Sequence, residues 1–177
     1  MQLKVTVPDN LMIDSRQAAE AARMGVSELV REHLRGKNAA TKPNRHGLPK
    51  SDYWADAADS VTSEVAGSVA TVTVEKEGAA LHYEGGTVYP KNGKKALAIP
   101  IDPSVAGIWP SEANALTDHI ALMWPKNSGH GFLKDAETGD LLWLLVPKAT
   151  IPADPTVLPT DSEIEQAAAE AIWEAAS

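Results

Sequence analysis

Leu3, Val5 and Val7 alternate with Gln2, Lys4 and Thr6, the period-two pattern of a short half-buried strand that Pro8 ends. From about Asn10 to Arg35 the period changes. Ala18, Ala22, Val26, Leu29, Val30 and Leu34 recur at three- and four-residue steps, which predicts an amphipathic helix with Asp9, Asp14 or Ser15 as its cap and Gly36 as its end. Such a helix runs about 38 Å, enough to cross one face of a small sheet. Residues 36–52 contain four basic side chains, a histidine, two prolines and no acid before Asp52, and read as a loop. One short helical turn is expected at Tyr53–Ala58.

Between Ser60 and Ile101 the pattern predicts a meander. Its strands are centred on Val61/Val65, Val69–Val74, Ala80–Tyr83 and Ala96–Ile99, with Gly67, Gly78, Gly85-Gly86 and Asn92-Gly93 between them. Residues 102–130 are proline-rich at the edges and read as an inserted loop with a short helix. Phe132-Leu133 and Leu141–Pro147 flank the turn formers Glu137–Asp140, a hairpin. Leu141–Val146 is continuously apolar, as expected of a central strand covered on both faces. An extended stretch from Ile151 leads to a last helix capped by Thr160 or Asp161. Ile164, Ala168, Ala171/Ile172 and Ala175 lie on one of its faces, with Glu163, Glu165, Glu170 and Glu174 elsewhere. The fold class expected is α+β: a small antiparallel sheet or sandwich with a long N-terminal helix packed on it and a C-terminal helix. At 177 residues the length fits a single domain over 1–177 with one core.

Composition narrows the function. The chain has no cysteine, which removes disulfides, thiolate metal sites and cysteine nucleophiles. No apolar run approaches the ~18 residues of a membrane span, and the first residues lack the pattern of a signal peptide, so folding in the cytoplasm and no membrane partner are expected. The net charge of −8 is uneven: residues 1–50 carry nine Lys/Arg against five Asp/Glu, and the rest seven against nineteen. That leaves +4 facing −12, which suggests two faces with different partners, or head-to-tail contact between copies; an unevenly charged solvated surface is the plainer reading.

Enzymatic signatures are missing: no phosphate-binding loop, zinc-binding His-Glu-x-x-His, nucleophile elbow or dinucleotide fingerprint occurs. His82 and Glu84, two residues apart on a presumed strand, would share a face and could share a proton or a metal, as in a hydrolase; a hydrogen-bonded edge pair is the plainer reading. Ser128 and His130 in Ser128-Gly129-His130-Gly131 lack the third group and oxyanion donors that a nucleophile needs, and read as a turn. The basic loop with Lys37, Lys42, Arg45, His46 and Lys50, next to Tyr53 and Trp54, suits either a protein partner or a nucleic-acid adaptor.

Leu81–Val88, then Pro90-Lys91 and Lys95–Pro100, then Asp154–Pro159 with the amphipathic helix after it, resemble the virion-morphogenesis proteins of tailed bacteriophages. That group is similar to phage tail-completion, minor tail and neck proteins. The resemblance implies a fold related to the tail tube and a ring, often hexameric, at the head–tail junction or tail end. It also implies partners among connector, neck, tail-tube and tail-terminator proteins, a place in the virion after assembly in the host cytoplasm, and neither catalytic residues nor cofactors. DNA contact in the ring lumen is a further possibility of that geometry. Gly85-Gly86 would allow a sharp turn where a side chain would clash, and Pro90 with Asn92–Lys95 would project a basic hairpin tip. The candidate interface residues are therefore Lys37, Lys42, Arg45 and Lys50 of the loop, Lys91, Lys94 and Lys95 of the tip, and Glu163, Glu170 and Glu174 of the last helix.

Overall fold

The computed structural model describes residues 1–7, 13–42, 47–48, 51–112 and 119–177. These residues gather in two compact units, one built from 1–41, 52–85 and 152–177, the other from 42–51 and 86–151. The single core expected from length is replaced by two apolar clusters, one in each unit. The α+β class holds, with antiparallel sheets, a long helix near the N-terminus and a helix at the C-terminus.

In the first unit, strand β1 (Gln2–Thr6) pairs antiparallel with β3 (Val69–Val74), which forms a hairpin with β2 (Val61–Ala66), giving the order β1-β3-β2. The register places Leu3 opposite Val72 and Val5 opposite Ala70, while Val61 and Val65 oppose Val74 and Ala70. One face is therefore apolar, and the intervening Lys4, Thr62, Glu64, Thr71 and Thr73 fall on the other. Gly67, with φ of 63°, supplies the left-handed residue of the tight turn between β2 and β3.

Helix α1 (Ser15–Ala40) covers the apolar face. Asp14 caps it by accepting the N–H groups of Arg16 (2.9 Å) and Gln17 (3.2 Å). Ala18, Ala22, Val26, Val30 and Leu34 are buried, as the periodicity predicts. The predicted boundaries shift: Ser15 is the first helical residue, Gly36 lies inside the helix, and the end comes at Thr41. Asp9 and the rest of 8–12 lie outside the described residues. Gly36 has nothing within 4 Å of where a Cβ would be, so its cost is only the roughly 1 kcal/mol of glycine's low helix propensity, too little to stop a helix anchored by packing. Thr41 closes the helix, its N–H bonded to the Asn38 carbonyl (3.2 Å) and its hydroxyl to that of Lys37 (3.0 Å), two residues before Pro43 in the sequence.

Helix α2 (Tyr53–Asp59) adds Ala57 and Ala58 to this core. The strand expected at 80–83 is instead helix α3 (Ala79–Glu84). Gly78 enters it at φ 85°, the His82 N–H bonds the Gly78 carbonyl, and Ala79, Ala80 and Leu81 are strong helix formers whose short run offers no period to choose by. Gly85 then turns at φ 74°. A Cβ there would stand 2.7 Å from the Ala153 nitrogen, the clash that the Gly85-Gly86 pair was expected to avoid. The last helix, α4 (Asp161–Ala176), is opened by a capping box: Thr160 Oγ1 accepts the Glu163 N–H and the Glu163 carboxylate accepts the Thr160 N–H. Its Ile164 and Ala168 join the first core, and its alanine stripe lies on α1: a Cβ on Gly25 would come within 2.8 Å of both the Ala167 carbonyl oxygen and the Ala171 Cβ.

The second unit holds two sheets. Strand β4 (Gly86–Val88) pairs with β9 (Ala149–Ile151), and β5 (Leu97–Pro100), β6 (Ile120–Met123), β7 (Gly131–Asp135) and β8 (Leu141–Val146) form a sheet in the order β5-β8-β7-β6. The hairpin read at 132–147 is present, with Gly139 at φ 83° in its turn, and β8 is interior as its unbroken apolar run requires. Trp143, 1% exposed, centres a cluster with Val105 and Leu142. Since β4 and β5 pair with different strands, the Asn92-Gly93 turn is no hairpin tip; Asn92 and Gly93 both have positive φ (56° and 72°) in a turn closed by Lys94 N–H on the Lys91 carbonyl. Within 102–130, residues 113–118 lie outside the described residues, and the expected loop contains a 3-10 turn at Pro103–Val105 and part of the sheet, β6.

Candidate functional site

In the second unit, the β5–β8–β7–β6 sheet and the turn at 91–94 border a groove of about 950 Å³. Its walls are apolar, with Leu97, Leu122, Leu133 and Leu145 from the strands and Tyr89, Trp109 and Trp124 from the connections. Tyr89 is 59% exposed, Trp109 64%, Leu122 65% and Trp124 47%. Trp124 is held in place: its Nε1–H donates to the Ser128 carbonyl at 3.2 Å, and its indole lies where a Cβ on Gly131 would be. Lys91, Lys94 and Lys95 stand exposed on the same groove. A preformed aromatic recess with cations at its border suits an apolar side chain on an acidic surface.

The first unit carries a smaller groove of about 480 Å³, lined by Val5, Val7, Ile13, Ala168, Ala169, Ile172 and Trp173. Trp173 is 78% exposed. It follows Ile172 directly, and neighbours on a helix point about 100° apart, so only one of the two can face α1.

The remaining candidates fare differently. Lys37 is used within its own unit: its Nζ donates to Asp154 Oδ2 (2.7 Å) and Thr156 Oγ1 (3.0 Å) and lies 5.5 Å from the Trp54 ring centre. Trp54 packs on the first core, with Tyr53 edge-on at 4.9 Å, so neither the lysine nor this tryptophan forms the outward stacking platform that a nucleic-acid adaptor at 37–50 was expected to use. Lys42 is exposed beyond the end of α1, whereas Arg45, His46 and Lys50 lie outside the described residues. Glu163 is committed to the capping box and Glu170 accepts from Gln166 Nε2 (2.8 Å); Glu174 is exposed.

His82 and Glu84 do not share a strand face, because they sit on α3, where two residues subtend about 200°. The His82 ring packs instead against Tyr53 and Trp54, at 5.2 and 5.3 Å. Ser128 and His130 form an exposed turn in which the serine hydroxyl accepts the His130 N–H and lies 3.1 Å from its Nδ1. Among the described residues no group of three or more His, Asp or Glu side chains is placed to hold a metal, and no helix is long and apolar enough to cross a membrane.

Asp154 has a carboxyl lowered to a pKa of about 2 from an ordinary value near 3.8, first by the Lys37 hydrogen bond and then by that of Thr156. A carboxyl depressed in the folded state stabilises above its unfolded pKa, and that contribution is lost as pH falls from about 3.8 through about 2. The Asp154 side chain is 43% exposed, so screening holds the effect at pH 7 to roughly 1 kcal/mol or less. In urea melts, Asp154→Asn should be slightly less stable than wild type at pH 7 and converge with it near pH 2. A difference that persists unchanged at pH 2 would assign the effect to something other than ionisation.

The charge division changes too. Among the described residues the first unit carries seven Lys/Arg against seventeen Asp/Glu, and the second seven against five. The contrast read along the chain as basic N-terminal and acidic C-terminal parts is thus a contrast between units, because α1 and α4 belong to the same one. No protein-family model matches the chain, and comparisons with curated proteins and with solved structures find no match either.

Proposed function

We propose that this chain is a structural protein of a tailed-phage particle. It assembles with copies of itself into a ring at the head–tail junction or the tail end, as a tail-completion or neck protein with a tail-tube-related fold. The observation that carries this reading is the groove of the second unit. Three aromatic side chains and Leu122 are held open to solvent beside three lysines, in a unit with a cationic balance, while the other unit is strongly acidic. Surfaces of this composition are characteristic of contacts between proteins, where Trp and Tyr anchors in a recess contribute most of the binding. Opposite charges on different units favour heterologous association, the kind that closes rings. The sequence likeness at 81–100 and 154–159 supplies the phage context.

Light scattering coupled to size exclusion, with electron microscopy of the same fractions, tests the proposal on the purified chain alone and mixed with purified phage tails and heads. A ring-sized oligomer, free or seated on a tail or connector, is expected. A strict monomer at every concentration that joins neither particle would overturn the reading.

A further inference from the structure

The groove of the second unit and helix α4 of the first are complementary in polarity and in charge. Over residues 161–177 the chain carries five acids and no cation. Ala169, Trp173 and Ala176 follow one another at four- and three-residue steps and are all exposed, so they form an apolar strip along α4 with Trp173 in the middle. Glu170 and Glu174, each one residue further on, flank that strip. The strip lies in the half of the helix where the backbone dipole is negative, and the last turn contains no basic residue to offset it. Acidic side chains at that end are unfavourable unless cations come from outside the helix. Cations of the required number and exposure stand on the groove: Lys91, Lys94 and Lys95.

We infer that the groove of one copy receives the α4 helix of a second copy, with Trp173 entering beside Trp109 and Trp124 and with Glu170 and Glu174 facing Lys91, Lys94 and Lys95. This deepens the ring reading and rests on it. The contact is heterologous, groove on one copy and helix on the next, so each subunit uses both surfaces, and a ring forms where the rotation from copy to copy closes. It follows the helix-in-groove mode, in which a narrow apolar strip supplies the anchors and flanking charges fix the direction.

The test uses the full chain in three forms: wild type, Trp173→Ala, and the triple variant Lys91→Glu, Lys94→Glu, Lys95→Glu. All four positions are exposed, and circular dichroism checks that each form folds. Wild type is expected to assemble, free or on tails, and each variant alone to be monomeric, its self-association weakened at least tenfold. Mixing the two variants should give one-to-one pairs and stop there, because the triple variant still presents an intact helix and the Trp173→Ala chain an intact groove. Variants that assemble like wild type, or a mixture that forms no pairs, would overturn this contact and leave the ring standing. Self-association kept with only tail attachment lost would give the groove to a different protein and also overturn it. A wild type that is monomeric with and without tails would bring down the ring reading itself.

Discussion

Trp143→Ala should unfold the second unit while leaving the first largely protected. Among the described residues Trp143 is the largest fully buried side chain, on the interior strand β8, and its cluster has only Val105 and Leu142 as other buried members. Truncating a buried tryptophan costs roughly 3–5 kcal/mol, because the indole's transfer free energy is lost and the cavity left behind is only partly filled by relaxation. A small core has few neighbours with which to fill it. Ala98, Ile120 and Leu133, which pack on the cluster, come from three other strands, so the loss is felt across the whole sheet. Hydrogen exchange should show protection disappearing at 97–100, 131–135 and 141–146 and surviving along α1. Trp143→Phe, which keeps most of the apolar volume, should lose clearly less. Uniform weakening of both units by Trp143→Ala would mean that the two clusters behave as one core.

The position of Trp143 was legible in advance, because six consecutive apolar residues leave no polar face to expose and so require an interior strand. So were the α1 stripe and the 137–140 turn, each fixed by chemistry within a few residues, while Asp14 and Thr160 each stood among two or three cap candidates that local sequence alone did not separate. What escaped the sequence was decided by contacts far apart in the chain. β1 pairs with β3, some seventy residues on, and β4 with β9, some sixty on, and no local pattern records either pairing. Ala79–Glu84 carries too few residues to distinguish a period of 2 from one of 3.6, and the left-handed Gly78 decided for a helix.

The surfaces were less legible than the fold. Lys37 reads as part of a basic loop until helix α1 is seen to continue past Gly36 and bring it to Asp154, a partner 117 positions away. Trp109 and Trp124 stand in a stretch with no clear period, so sequence alone does not say whether they are buried or open. One signal was present: Ile172 and Trp173 are adjacent on a helix whose buried stripe contains Ile164 and Ala168, and the stripe continues to Ile172, so Trp173 must lie outside it. A tryptophan off the buried face of an acidic helix is an exposed apolar side chain, and Trp173 is 78% exposed.

Replacing Gly25 should detach that helix. In the middle of α1, Gly25→Leu removes a residue of poor helix propensity, which by itself would stabilise by roughly 1 kcal/mol. The packing opposes this, because the new Cβ would stand 2.8 Å from the Ala167 carbonyl oxygen, a backbone atom that moves only if α4 moves, and 2.8 Å from the Ala171 Cβ. Overpacking of a close helix contact costs roughly 1–3 kcal/mol, more where the obstacle is backbone, so the net effect should be destabilising despite the better propensity. Gly36→Ala on the same helix meets nothing within 4 Å and should be stabilising by about 0.5–1 kcal/mol, which makes the sign of the change, and not only its size, the readout. Exchange protection should fall along 161–176 in Gly25→Leu and persist in β1–β3–β2, whose face is covered by α1 itself. Because α4 also carries Trp173, the same substitution should weaken self-association without altering any residue of the groove. A Gly25→Leu chain as stable as Gly36→Ala would mean that α4 does not rest on α1 at this glycine.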